Sequence, residues 1–220
     1  MTTAILFDID GTLLDSNDLH ARAWVEVFRR HGHEVPVEAV RRQIGKGADK
    51  VIPVFLPEDE VKRDGEKLKK ERVALFREKY LPHARVFPMV RELFERLAAD
   101  GKKIALASSA TGPELEEYKE RLGIADLLDA HTSADDAEKS KPDPDIFLAA
   151  LHRLGDPDRD QTVVVGDTPY DAEAGRKAGL RVVGVTCGGW SVDDLRAAGC
   201  VAVYRDPADL LAHYDQSPLR

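Results

Sequence analysis

Apolar residues along this chain fall into two alternating textures. Short aliphatic or β-branched runs at 3–7 (TAILF), 102–107 (KKIALA), 162–166 (TVVVG), 181–186 (RVVGVT) and 201–204 (VAVY) show no period-two alternation of apolar and polar residues. Such runs predict strands buried on both faces of a parallel sheet. Between them, apolar residues recur at helical spacing over 88–100 (PMVRELFERLAAD), 113–122 and 143–154, and these stretches are followed by Gly101, Gly123 and Gly155. Glycine is the residue that most readily closes a helix. Strand and helix in alternation predict an α/β fold with an open, doubly wound parallel (Rossmann-like) sheet.

Residues from Ser16 to about Tyr80 break the alternation. They hold no convincing strand, but amphipathic patterns run over 17–30 (NDLHARAWVEVFRR), 36–43, 47–55 and 58–79. This predicts an inserted α-helical cap domain over residues 16–85 and an α/β core built from 1–15 and 86–220. The insertion leaves just after the first strand and returns near "LPHARVFPM", so both connections fall beside that strand's end and suit a lid. The run "EDEVKRDGEKLKKERVALFREKY" mixes both charges at helical spacing and reads as a solvated helix face.

Composition narrows the function classes. In 220 residues, 43% are hydrophobic and 33% charged, which suits a core with a small second domain. Net charge is −8, so no basic footprint invites nucleic acid or an anionic membrane. No apolar run approaches membrane-spanning length, and no basic leader with an apolar core precedes Ala4. Cys187 and Cys200 lack CxxC spacing and fit reduced thiols. Together these features lead us to expect a cytoplasmic protein, and nothing calls for more than a monomer.

The chemistry gathers at strand ends. Asp8 and Asp10 lie two apart in "ILFDIDGTLLDS", so a continuing strand would crowd both carboxylates on one face. A bound cation, a shared proton or a nearby ammonium must offset that repulsion. In an open α/β sheet, ligands bind beyond the carboxyl ends of the strands. There the chain places Asp8, Asp10, Gly11 and Thr12 after the first strand, Ser108 and Ser109 after "KKIALA", and Asp167, Thr168 and Asp171 after "TVVVG". Several carboxylates at one rim suit a hard divalent cation, and Mg²⁺ fits better than a zinc site wanting His or Cys. Lys141 in "EKSKPDPDIF" can supply an ammonium, with an extended backbone favoured by Pro142. Ser108 and the Ser109 amide can hold a phosphate oxygen before a helix N-terminus. Nucleophile, acid, cation, positive clamp and hydroxyl donor make up a phosphoryl-transfer site.

The stretches "FDIDGT", "ASS", "KPDPDIF" and "GDTPYDAEAG", in that order, resemble the four motifs of the haloacid dehalogenase superfamily. The inserted helices resemble the type-1 cap of its phosphoglycolate phosphatase and β-phosphoglucomutase branch. The resemblance implies Asp8 as nucleophile forming an aspartyl-phosphate, and Asp10 as general acid and then base. It further implies Mg²⁺ held by Asp8, the Asp10 carbonyl and Asp167, with Asp171 supporting the metal's waters and orienting Lys141. Thr12 would position Asp10, while Ser108, Ser109 and Lys141 would bind the phosphoryl group. "IGKGADK" resembles the specificity segment of such caps, which makes Lys46 and Lys50 candidate substrate-binding residues. The implied activity is Mg²⁺-dependent hydrolysis of a small phosphorylated metabolite, of sugar-phosphate or phosphoglycolate type.

Plainer readings stand beside these. Asp171 can cap a helix, Ser108 can be the N-cap near Gly112-Pro113, Lys46 and Lys50 can be ordinary surface charges, and His20 and Trp24 can be packing residues of the cap. A sugar-phosphate mutase is the competing enzyme. Mutase members commonly read Glu-Asp in the fourth motif, where this chain has Gly166-Asp167, and this favours a hydrolase. A signalling receiver has its phosphorylated Asp on a later strand and no helical cap after the first, and an idle phosphate-binding scaffold would need a motif residue to be missing.

Overall fold

The computed structural model describes residues 1–220. Its strands are β1 (Ala4–Phe7), β2 (Leu14–Asp15), β3 (Arg85–Val86), β4 (Lys103–Ala107), β5 (Ala130–Thr132), β6 (Thr162–Gly166), β7 (Arg181–Val185) and β8 (Ala202–Tyr204). Six of them form one sheet in the order β5-β4-β1-β6-β7-β8, and every pairing in it is parallel. The period-two geometry of β1 sends Ile5 and Phe7 into one apolar cluster and Ala4 and Leu6 into another, and β6 divides Val163 and Val165 from Val164 in the same way. Both faces are therefore core, which is why these strands read as unbroken apolar runs.

Helices α1 (Asn17–Arg30), α2 (Val37–Arg41), α3 (Ala48–Phe55) and α4 (Glu58–Leu75) lie between β2 and β3, and α4 continues through a π-type turn at Phe76–Tyr80. The remaining helices are α5 (Val90–Ala99), α6 (Gly112–Leu122), α7 (Asp145–Arg153), α8 (Pro169–Lys177), α9 (Val192–Ala198) and α10 (Pro207–Ala212). Helices α5, α6 and α10 supply Phe94, Leu97, Tyr118 and Leu210 to one face of the sheet, whereas α7 and α8 supply Phe147, Leu151 and Ala174 to the other. A third apolar cluster draws all twelve of its buried residues from 21–75, with Trp24, Phe28 and Val51 among them. The segment is tied at both ends by antiparallel pairing of β2 with β3, Leu14 opposite Val86 and Asp15 opposite Arg85. No helix is long and apolar enough to cross a membrane.

Glu26 on α1 fastens that helix to the π-type turn. Its carboxylate accepts from Lys79 Nζ (2.7 Å), the Tyr80 hydroxyl (2.8 Å) and Arg30 (2.7 Å). The Lys79 bond foremost, helped by Tyr80 and Arg30 against partial burial, holds its carboxyl down at about 2. A depressed acid stabilises the fold fully above its unfolded value, near 4.5, and loses that contribution as pH falls toward 2. Glu26→Gln is therefore expected to cost about 1 kcal/mol at pH 7, a figure discounted for the half-exposed Lys79. The deficit should shrink as the pH is lowered, measured by urea denaturation at pH 7, 4 and 3. A deficit that is constant across that range would contradict the assignment.

Candidate active site

The chain proceeds outward from β1 to β4 and β5, then returns to β6 and continues to β7 and β8 on the other side. The order therefore reverses at β1, and ligands of such sheets bind at the reversal. Because β1 lies between β4 and β6, the residues that follow these three strands converge.

Asp8, Asp167 and Asp171 each present a carboxylate oxygen, all within 4.8 Å of one another, and all three residues are buried. Lys141 approaches from the loop between β5 and α7 and is fully buried. Its Nζ lies 2.6 Å from Asp8 Oδ1 and 2.8 Å from Asp171 Oδ1, and it also donates to the Ala107 carbonyl at 3.3 Å. The other Asp171 oxygen accepts from the Thr168 hydroxyl (2.6 Å) and amide (3.0 Å), so the same residue caps α8 and faces the lysine. Burial foremost pushes the Asp8 carboxyl up to about 7, with Lys141 opposing and Asp171 adding to the rise. Burial, Asp171 and Asp8 likewise push Asp167 far upward.

Three buried carboxylates share one ammonium, and that imbalance tests whether a cation fits. A divalent ion among all-oxygen donors would supply the missing positive charge and reverse the upward push on the carboxyls. A second observation agrees. Asn17 donates through Nδ2 to Asp167 Oδ2 (2.8 Å) and to the Gly188 carbonyl (3.1 Å), but its buried Oδ1 has no partner. A hydrated cation brings donors for an acceptor so placed. Two glycines keep the space open: a Cβ on either Gly11 (φ +77°) or Gly188 would overlap Asp167 Oδ2. The donor set thus fits Mg²⁺, with Asp8, Asp167 and the neighbouring Asp171 as the residues to hold and support it.

Asp10 sits apart from this cluster, at the entry to α1. Its Oδ1 receives Ser16 Oγ (2.5 Å) and His20 Nε2 (2.9 Å). Burial alone would raise its carboxyl, yet His20, Ser16 and Arg72 together hold it below the usual carboxylate value. His20 stacks on Phe76, with ring centroids 3.7 Å apart, and meets the Tyr118 hydroxyl at 3.2 Å. His20 is thus a hydrogen-bonding partner of Asp10 as well as a packing residue. Ser16, Asn17 and His20, which sequence reading passes over as site residues, all turn one face of the first turn of α1 toward the carboxylates. The signal available was the helical spacing that brings His20 three residues after Asn17 and four after Ser16.

The other candidates differ in what they touch. Thr12 is buried and donates to Asp167 Oδ1 at 3.1 Å, not to Asp10. Ser108 is buried, and its Oγ accepts the Ala110 amide at 3.1 Å; the α6 N-cap is Thr111, in a capping box with Glu114, so the N-cap reading of Ser108 is set aside. Ser109 lines a chamber of about 40 Å³ together with Asp8, Asp10, His20 and Lys46. Lys46 Nζ also reaches Gln43 Oε1 (2.6 Å) and lies over the Tyr170 ring (4.5 Å). Lys50 is not among that chamber's lining residues and pairs with Asp143 at 3.1 Å.

Comparison with known proteins agrees with this arrangement. A family model described as haloacid dehalogenase-like hydrolase matches residues 5–185. A phosphorylated carbohydrates phosphatase of Thermotoga maritima is 31% identical over 216 residues, covering 94% of this chain and 96% of that protein. A phosphoglycolate phosphatase of Nitrosospira multiformis is 30% identical over 205 residues, covering 91% and 90%. The crystal structure of a hydrolase from Pseudomonas syringae superposes with a TM-score of 0.89 at 29% identity, covering 98% of this chain and 99% of that one.

Proposed function

Because the chain belongs to the haloacid dehalogenase-like hydrolases and is a phosphoric monoester hydrolase, we propose that it is a Mg²⁺-dependent phosphatase of a small phosphorylated metabolite, acting through an aspartyl-phosphate on Asp8. The observation that carries this is the buried cluster of Asp8, Asp167 and Asp171 around a single lysine. Asp8 Oδ1, oriented by Lys141 at 2.6 Å, attacks phosphorus while the ester oxygen departs. Asp10, whose carboxyl is held low in the free site, takes up a proton as the phosphate dianion enters the chamber, gives it to that oxygen, then takes one from the water that cleaves the acyl phosphate. The bond from Ser16 and the contact with His20 fix Asp10 toward the chamber. Lys141, Ser108 and the Ser109 amide offset charge on the phosphoryl oxygens. When bound, Mg²⁺ supplies charge neutralisation between Asp8 and the phosphoryl group. Residues 16–85 act as a cap over a core of 1–15 and 86–220, and Lys46 is placed to meet the substrate inside the chamber.

Hydrolase chemistry is favoured over mutase chemistry by Gly166. A Cβ there would stand 2.6 Å from both Cβ and Cγ of Asp171, so the glutamate common in mutases has no room beside Asp171 as it is placed here. Phosphate release with no isomerised product is the expected outcome with hexose phosphates.

Metal removal tests the reading directly. Turnover should vanish in EDTA and return with MgCl₂, and thermal denaturation should shift upward with MgCl₂ concentration. At a hundred times Kd that shift corresponds to about 2.7 kcal/mol. Full activity in EDTA, with no effect of MgCl₂ on melting, would sink the proposal. Gly188→Ala tests the space around Asp167, since the added methyl group would overlap the carboxylate. Misplacing the carboxylate by about 1 Å should lower kcat by about 10²-fold, with KM changed much less.

A further inference from the structure

A second cavity of about 380 Å³ lies beside the catalytic chamber, and Arg72 and Ser109 line both. The chamber itself holds about 40 Å³, room for a few water-sized groups at ~10–15 Å³ each, such as the terminal oxygens of a phosphoryl group. Whatever carries the phosphate must extend past Arg72 and Ser109, and the larger space falls in the range of small-molecule sites.

The lining describes that carrier. Ile52, Pro53 and Val61 of the helical segment face Ala134, Ala137 and Ile146 of the α/β part, giving two apolar walls. Ser109, Thr111 and Ser140 supply hydroxyls, and Asp49, Glu66 and Glu138 supply carboxylates that form no ion pair. The cations are less available. Arg72 binds the buried Glu114 through Nη1 at 2.8 Å and keeps one buried N–H, at Nε, without a partner, while Lys62 pairs with Glu58 at 2.5 Å on the exposed surface. Only Lys69 lines the cavity without a carboxylate partner. A second anionic group would therefore face more unpaired carboxylates than free cations, whereas hydroxyl donors would find acceptors and aliphatic C–H groups would find apolar walls.

We infer that the substrate is a phosphomonoester of a non-anionic, polyhydroxylated compound of sugar size, whose body occupies this cavity, and not a small phosphorylated acid or a bisphosphate. This rests on the phosphatase reading and goes beyond it by naming the substrate class. Gly65 on α4 offers a way to fill the space: a Cβ there would meet only Val61 Cγ1, at 3.7 Å. Gly65→Phe therefore adds a ring at the cavity wall and raises helix propensity, so folding is retained.

The test measures kcat/KM for glucose 6-phosphate, fructose 1-phosphate and sorbitol 6-phosphate against phosphoglycolate and fructose 1,6-bisphosphate, with p-nitrophenyl phosphate as a general probe. The polyol monophosphates should lead the two anionic esters by at least ~100-fold, and Gly65→Phe should reduce that ratio at least ten-fold. Preference for phosphoglycolate or the bisphosphate overturns the inference while leaving the phosphatase reading standing. A ratio unmoved by Gly65→Phe, in a variant that melts no lower than the parent, overturns the placement in this cavity. Silence with every ester, p-nitrophenyl phosphate included, removes the phosphatase reading and this inference together.

Discussion

Asp8→Asn is expected to lower kcat by at least ~10⁴-fold, as removal of a reaction's nucleophile does, while the protein keeps its fold. An amide is close in shape to a carboxylate and can still accept from Lys141, but it cannot form the acyl phosphate. The same change has a second readout in metal-free protein. Burial raises the Asp8 carboxyl from 3.8 to about 7, so between those values the native state holds more protons than the unfolded state. Stability from this group therefore falls as pH rises through that window. Asn removes the penalty, and metal-free Asp8→Asn should melt no lower than the parent at pH 8. Mg²⁺ should then stabilise the parent more than the variant. A variant with near-parental turnover would overturn the role of Asp8, and one that unfolds at room temperature would overturn the electrostatic account.

Lys141→Met is expected to produce the largest loss of stability. The side chain is fully buried, and its ammonium is the only positive charge within ion-pair distance of Asp8 and Asp171. Breaking a buried pair by removing one partner costs about 3–5 kcal/mol, because the remaining charge stays buried and uncompensated. In a protein of this length that corresponds to a drop in Tm on the order of 10 °C. Adding Asp8→Asn to Lys141→Met should recover part of the loss, since one of the stranded carboxylates disappears; a double variant that is less stable than the sum of the singles would contradict the charge account. Activity should also fall by roughly 10³-fold from loss of the phosphoryl clamp, an effect separable from folding by assay at low temperature with unfolding monitored in parallel.

The uneven legibility of the sequence has physical causes. The strands at 4–7, 103–107, 162–166 and 181–185 are readable because both faces are buried, which leaves unbroken apolar runs; β8, half-buried at one edge of the sheet, still reads as apolar Ala-Val-Tyr. β5, residues 130–132 (Ala-His-Thr), is not: it is a three-residue edge strand paired only with β4 and, unlike β8 at the other edge, it carries polar residues at two of its three positions, which an edge tolerates. Helix limits shift by one or two residues from the apolar pattern, as at 90–99 and 145–153, because Pro88 and Asp143 lie in the turns that precede these helices.

Local chemistry is carried by the sequence itself: which residues end each strand, and that several of them are carboxylates. Strand order, together with the rule that loops at strand ends form the site, is enough to forecast Asp8, Asp167 and Asp171 at one rim. Contacts between distant segments are another matter. The attachment of His20 to Asp10, of Arg72 to Glu114 and of Lys50 to Asp143 depends on how the helical segment rests against the sheet, and that of Thr12 to Asp167 on the pairing of β1 with β6. That placement is fixed by packing of whole surfaces and leaves no periodic trace in either partner's sequence. The cavity beyond Arg72 belongs to the same category: its walls come from two separate segments, 47–72 and 109–146, and only their tertiary meeting gives it a volume and a charge.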